Sequence, residues 1–276
     1  MRVQHHIGFR LDSCPDLFQI LDMYNISFDK NSIIQGIDVY EDEPCWVDIK
    51  PFVDNKIALD ICTPIFSNEE LNNASWLKVR SVWHNGYPQP EHTIKFQRKV
   101  YDINSLCEKC SIHNRQKESF CIKSNLKWKN RHFFMLNWVF DELFVDDVAK
   151  NILNELSIPG VSFRDVKNTA GNSLDNVYQL EINNILGGGF LPLQKYIESK
   201  TICPECGNTK YFLNNKEPIT FQKNFFDGVP DIVKSSEWFG DGFLATRLIL
   251  INKKIYKVLV DNDLVKNLEF QPINLI

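Results

Sequence analysis

Cys107-Glu108-Lys109-Cys110 and Cys203-Pro204-Glu205-Cys206-Gly207 decide how this chain is read. A C-x-x-C turn points two thiols at one spot, and two such turns supply the four thiolates of a closed zinc site. The pairs stand about ninety residues apart, whereas a zinc ribbon keeps its pairs within roughly 15–20 residues. A metal shared between them therefore pins two distant stretches of chain together instead of closing one small knuckle. Cys107, Cys110, Cys203 and Cys206 are the expected ligands, and zinc the expected ion.

The stretches after the two pairs look alike. Phe140-Asp141-Glu142-Leu143-Phe144 is echoed by Phe239-Gly240-Asp241-Gly242-Phe243. Val148, Ile152, Ile158 and Val166 recur as Ile255, Leu259, Val265 and Ile273, each 107 positions on. The cysteine pairs are offset by only 96, so the later copy carries extra residues, most of them after Phe243, where Arg247 to Ile251 reads as an added strand. The expectation is a diverged duplication of cysteine pair, strand, helix and strand.

This arrangement resembles the double-CXXCG-motif family of bacterial proteins, over roughly residues 76–276. Some members of that family look like immunity proteins that neutralise a toxin passed between neighbouring cells. The resemblance implies a binding protein whose partner is a cognate protein toxin. The sequence departs from the motif once. Gly207 follows the second pair, but Ser111 follows the first. Glycine supplies a positive-φ position behind the thiolate at little cost, so Ser111 predicts strain and a looser first turn.

The totals set the bounds. The chain has 276 residues, 43% of them hydrophobic, which is ample for one large or two small cores. A net charge of −4 and a pI near 5.9 argue against a nucleic-acid binder acting through charge alone. The first residues lack a signal-peptide layout, and no run is long enough to span a bilayer. The expected setting is cytoplasmic, without a membrane partner, and the eight cysteines are expected to be reduced. Cys14, Cys45, Cys62 and Cys121 then read as small buried hydrophobes.

The fold class expected is α+β, divided into an N-terminal module over 1–80 and two repeats over 81–175 and 176–276, joined by the shared zinc site. In the module, Ile7, Phe9 and Leu11 alternate on a strand, and Ser13 caps a helix through Leu17, Leu21 and Tyr24. Residues 37–40 and 46–49 read as a hairpin, and Ile57, Leu59 and Ile61 as the inner face of a last strand, giving β-α-β-β-β. Ser67 to Glu70 fits a capping box. The tandem His5-His6 reads as one core and one surface histidine in preference to half of a metal site. Asp146 or Asp147 caps the helix whose inner face is Val148, Ile152 and Leu156.

A closed four-cysteine site is structural, because catalysis needs an open position. No nucleophile or histidine stands beside Asp141 and Glu142 in sequence, so no enzyme is expected. Two aromatic-acidic edges, Phe140, Asp141 and Glu142 with Trp238, Phe239 and Asp241, are the expected partner surface. Two alternatives remain. One is nucleic-acid binding through Lys109 to Arg131 with Phe120, Trp128 and Phe133; the other is an enzyme that uses Asp141 and Glu142 as its carboxylates.

Overall fold

The computed structural model describes residues 1–29, 32–123, 126–214 and 216–276; the side chain of Leu11, expected on the inner face of the first strand, lies outside the described set. The fold is mixed helix and sheet. It divides into one unit of Met1–Glu70 with Asn214–Glu217 and a second of Leu71–Leu213 with Pro218–Ile276. The first boundary falls at 70, not 80, because Trp76–Ser81 is a strand of the second unit's sheets. The second unit is not parted at 175, because its strands cross that position to pair.

The first unit is a three-stranded antiparallel sheet in the order Ile34–Tyr40, Arg2–Arg10, Leu59–Ile65, covered by helices Pro15–Met23 and Trp46–Asp54. Pro15 opens its helix at a position whose N–H would be unpaired anyway, but the cap is Cys14, without a side-chain bond, and not Ser13. Ser67 and Glu70 exchange the two bonds of the capping box.

Two expectations fail here. Residues 46–49 are helical, not a hairpin strand, so the module runs β-α-β-α-β. Four residues are too few to separate a period of two from one of 3.6. Trp46 and Ile49 face the core while Val47 is 75% exposed. The last strand is also turned over: Leu59 and Ile61 are 79% and 64% exposed, and Asp60 and Cys62 take the covered face. His5 pairs across the sheet with Cys62 and is fully buried, while His6 faces solvent beside Asp38.

The second unit is built on two four-stranded antiparallel sheets. One has the order Phe133–Leu136, Val139–Val145, Ser173–Ile182, Val161–Lys167. The other has the order Ile232–Lys234, Ile249–Asn252, Trp76–Ser81, Leu268–Pro272. In each, the second strand feeds a helix, Asp147–Glu155 or Lys253–Asp261, and the helix returns to the outer strand. Both helices are capped alike. Asp146 accepts from the amide of Ala149, and Asn252 accepts from that of Ile255. Past the helices, Ser157 and Asp263 take the left-handed conformation at φ 50° and 55°. Caps, helices and these residues correspond one position closer than the alignment of hydrophobic residues supposes. Hence Ala149 and Leu153, not Val148, are the buried counterparts of Ile255 and Leu259.

The third strands have different origins. Ser173–Ile182 follows directly on Val161–Lys167, but Trp76–Ser81 comes from upstream of both cysteine turns. Within the sheets they are equivalent. Leu180 pairs with Leu143 and Phe163, just as Val79 pairs with Ile249 and Phe270. Each then runs on to the edge of the opposite sheet. His84 bridges in parallel to Met135, and Ile185 bridges in parallel to Lys234. Ile249–Asn252 is thus no added strand but occupies the place of Val139–Val145. Trp238–Phe239 lies elsewhere, parallel to Thr209–Leu213.

Side chains from both sheets and both helices share one core, including Val79, Leu143, Leu180, Ile249, Leu153 and Leu259. Each sheet is buried on its outer face as well. Phe134, Phe144, Val166 and Val177 meet Phe96, Val100 and Phe120 on one side. Val233, Leu250, Trp76 and Ile273 meet Phe190, Tyr196 and Phe221 on the other. Sheets covered on both faces explain why these strands read as continuous apolar runs. The two outer layers carry the cysteine turns.

Candidate metal centre

Each cysteine turn closes by the same backbone bonds. The Cys107 amide donates to Ile112 O and the Ser111 amide to Cys107 O, at 2.8 and 2.7 Å. Cys203 and Gly207 repeat this with Asn208 O and Cys203 O, both at 2.9 Å. Ser111 has φ 63° and Gly207 φ 71°, so the serine adopts the glycine conformation and the first turn is no looser. A left-handed non-glycine costs roughly 1–2 kcal/mol. Ser111 is held there by burial and by donation from its hydroxyl to Gln97 Oε1 at 3.3 Å.

The turns meet thiol to thiol. Cys107 Sγ is 3.8 Å from Cys203 Sγ, and Cys110 Sγ is 3.6 Å from Cys206 Sγ. All four sulfurs lie within 4.8 Å of one another. A disulfide needs about 2.05 Å, so these are separate thiols. A tetrahedron with metal–sulfur bonds of 2.3 Å has edges of about 3.8 Å, so the four residues fit a metal ion with little movement. Amides of the turn, first that of Cys206, pull the Cys203 thiol down to about 7, whereas burial pushes Cys110 up. The Lys210 ammonium is buried beside the cluster and donates to Cys110 O at 3.1 Å and to Leu244 O at 2.9 Å. It places a positive charge where four thiolates and a divalent ion leave net negative charge. Cys110 and Cys203 are buried and Cys206 is exposed, so the cluster sits at a rim.

The expected aromatic-acidic edges fare differently. Asp141, Glu142, Trp238 and Phe239 are buried, and only Phe140 and Asp241 of the six reach the surface. As they stand, these residues do not form two exposed edges. The carboxylates instead line a polar cleft of about 320 Å3 with Tyr101, His113, Lys234 and Arg247. Lys234 Nζ donates to Glu142 Oε1 at 2.6 Å, and the Arg247 amide donates to Asp141 Oδ2 at 3.2 Å. Arg247 lies 4.4 Å over the Trp238 ring and donates to Ser235 O and Ser236 O. Burial pushes both carboxyls up, and the charge of Lys234 opposes it. Burial holds His113 down to about 4, with its Nδ1–H on Ser111 O and its ring 3.6 Å from that of Tyr101.

Lys234, Arg247, His113 and Lys210 were not singled out from the sequence for these roles. One signal was present. Asp141-Glu142 interrupts an otherwise apolar run, and a carboxylate buried in a strand requires a cation from elsewhere in the chain. The rings interleaved with the basic stretch are not free platforms. Phe120 and Phe133 are buried, and Trp128 packs on Trp83 and donates to Asn176 O at 3.1 Å. Among the described residues, no helix is long and apolar enough to cross a membrane. The chain matches no protein-family model and no curated protein.

Proposed function

We propose that this chain is a non-enzymatic binding protein whose scaffold is a duplicated unit stapled by one zinc ion, with the immunity type as its specific form. One observation carries the scaffold: two thiols from each of two distant turns converge within 4.8 Å. Four thiolates leave no open position for substrate, and zinc is the ion that such a donor set suits best. The duplication is supported by the equal strand order, caps and turn bonds of the two halves. In this reading the repeats begin at Trp76 and near Val177, and each lends its first strand to the other's sheet.

The immunity role rests on the resemblance in the two cysteine turns. A binding surface is supported by Trp138 and Phe140, each 37% exposed and packed on Tyr87 and His84. Elemental analysis of tag-free protein, with Cys203→Ser as control, tests the metal; one zinc lost in the variant is expected. Co-expression with toxins encoded beside its gene tests the role. Protection and a stable complex, both weakened by Trp138→Ala with Phe140→Ala, are expected. Absence of protection and of any complex sinks it.

A second reading, an enzyme working through Asp141 and Glu142, is favoured by one observation: both carboxyls are raised and line a cleft with a histidine and a tyrosine. Turnover of any substrate that disappears in Glu142→Gln, with the fold retained, would select it over the binding reading.

A further inference from the structure

The first unit carries a second constellation that the proposed zinc staple does not use. His5 and Cys62 stand opposite each other on neighbouring strands, and Asp60 is two residues from Cys62 on the same face. His5 Nδ1 lies 3.0 and 2.9 Å from the two Asp60 oxygens. Cys62 Sγ is 3.3 Å from His5 Nδ1 and 3.0 Å from Asp60 Oδ2. The other ring nitrogen, Nε2, sits 3.0 Å from Glu41 Oε1, and the ring stacks 3.9 Å from Trp46.

We propose that His5 Nδ1, an Asp60 oxygen and the Cys62 sulfur form a second, three-ligand site for a divalent transition ion of the zinc class, with water as the fourth ligand. Bonds of 2.0–2.3 Å from an ion to N, O and S place tetrahedral ligands about 3.3–3.6 Å apart. The observed triangle reaches this by opening a few tenths of an ångström. Glu41 supplies the outer carboxylate that fixes the tautomer: with Nε2–H donated to Glu41, the Nδ1 lone pair faces the triangle. That lone pair then faces two carboxylate oxygens, also acceptors, and a cation between them satisfies both.

The strand's orientation supports the same assignment. Shifting it by one residue would turn Leu59 and Ile61 inward and send Asp60 and Cys62 to solvent. Two side chains of that size left exposed forgo the apolar burial each would gain on the covered face. The register therefore gives up apolar burial to bring an imidazole, a carboxylate and a thiol together, and a bound ion offsets the loss. Burial and the Asp60 carboxylate push the Cys62 thiol up to about 12, so the metal-free site keeps its S–H on Asp60. Loading releases that thiol proton to solvent. With Asp60 12% exposed, the ion and its water have a solvent side.

Cobalt(II) titration of the metal-free full chain, followed in the thiolate charge-transfer band, tests this. Saturation at two ions is expected, against one in Cys62→Ala and one in Asp60→Asn, each with native circular dichroism. Cys203→Ser should lose the other ion and keep this one. A stoichiometry that neither Cys62→Ala nor Asp60→Asn lowers below that of the unmodified chain overturns the site, whether or not the four-cysteine staple holds metal. If Cys62→Ala does not fold, Asp60→Asn and the unmodified stoichiometry still decide it.

Discussion

The sheet containing Val139–Val145 and the sheet containing Ile249–Asn252 share one frame and differ in what the frame carries. Where the first has Asp141 and Glu142, the second has Arg247 and Leu248. These positions meet at the seam, Arg247 N on Asp141, with Lys234 of the second sheet on Glu142 of the first. The two frames are thus complementary here: one side contributes the anions and the other the cations. A buried ion pair of this kind is weak support for stability but a strong constraint on which surfaces fit together. The cysteine turns show the opposite pattern. They have the same backbone bonds and the same chemistry, two thiols from each side within metal-binding distance of one another.

The largest effect is expected from metal removal, which takes away what the two halves hold in common. Chelation should abolish the cooperative unfolding transition of the second unit, a loss on the order of 10 kcal/mol by analogy with small zinc modules. Thermal melts with and without chelator check it; an unchanged transition would mean that the shared core and the charged seam join the halves without an ion.

The seam is tested next. Glu142→Gln leaves Lys234 buried without its anion and should cost about 3–5 kcal/mol in urea unfolding. Lys234→Met should cost less at acid pH, because burial already favours protonated Glu142 and the carboxyl can neutralise itself. Equal losses at all pH values would show that the seam does not distinguish the two halves.

His113, beside the first turn, adds a pH term. Its folded value, about 4, lies below the ordinary 6.5. A depressed folded value gives stability that is present above 6.5 and lost as pH falls toward 4, here on the order of 3 kcal/mol. Urea midpoints at pH 7.5 and 5, with excess zinc to hold the staple, should separate more in the unmodified chain than in His113→Phe.

The smallest effect contrasts the turns themselves. Gly207→Ala should cost about 1 kcal/mol from its positive φ alone, since no atom lies within 4 Å of the added Cβ. Ser111→Gly relieves the same strain but loses the bond to Gln97, so its net change should stay within about 1 kcal/mol. A large loss in Ser111→Gly would make the serine a structural anchor of the first turn.

Much of this was legible in the chain. The cysteine spacing marked four thiols that do converge, and Asp146 and the Ser67–Glu70 box are the caps they read as. What was not legible depended on distant partners. Residues 46–49 satisfy two periodicities, and only packing of Trp46 and Ile49 chooses the helix. Leu59–Ile65 turns Asp60 and Cys62 to the face of His5, half a hundred residues away, against its own apolar alternation. The correspondence of Trp76–Ser81 with Ser173–Ile182 has no motif to mark it. It exists in pairing partners such as Phe270 and Phe163, which sequence similarity does not report.

The upstream origin of Trp76–Ser81 bears on biosynthesis. That segment leaves the ribosome before either thiol pair, yet both neighbours it needs, Ile249–Asn252 and Leu268–Pro272, are translated last. An apolar ribbon with two unsatisfied flanks must therefore wait while the whole stretch between Ser81 and Ile249 is made.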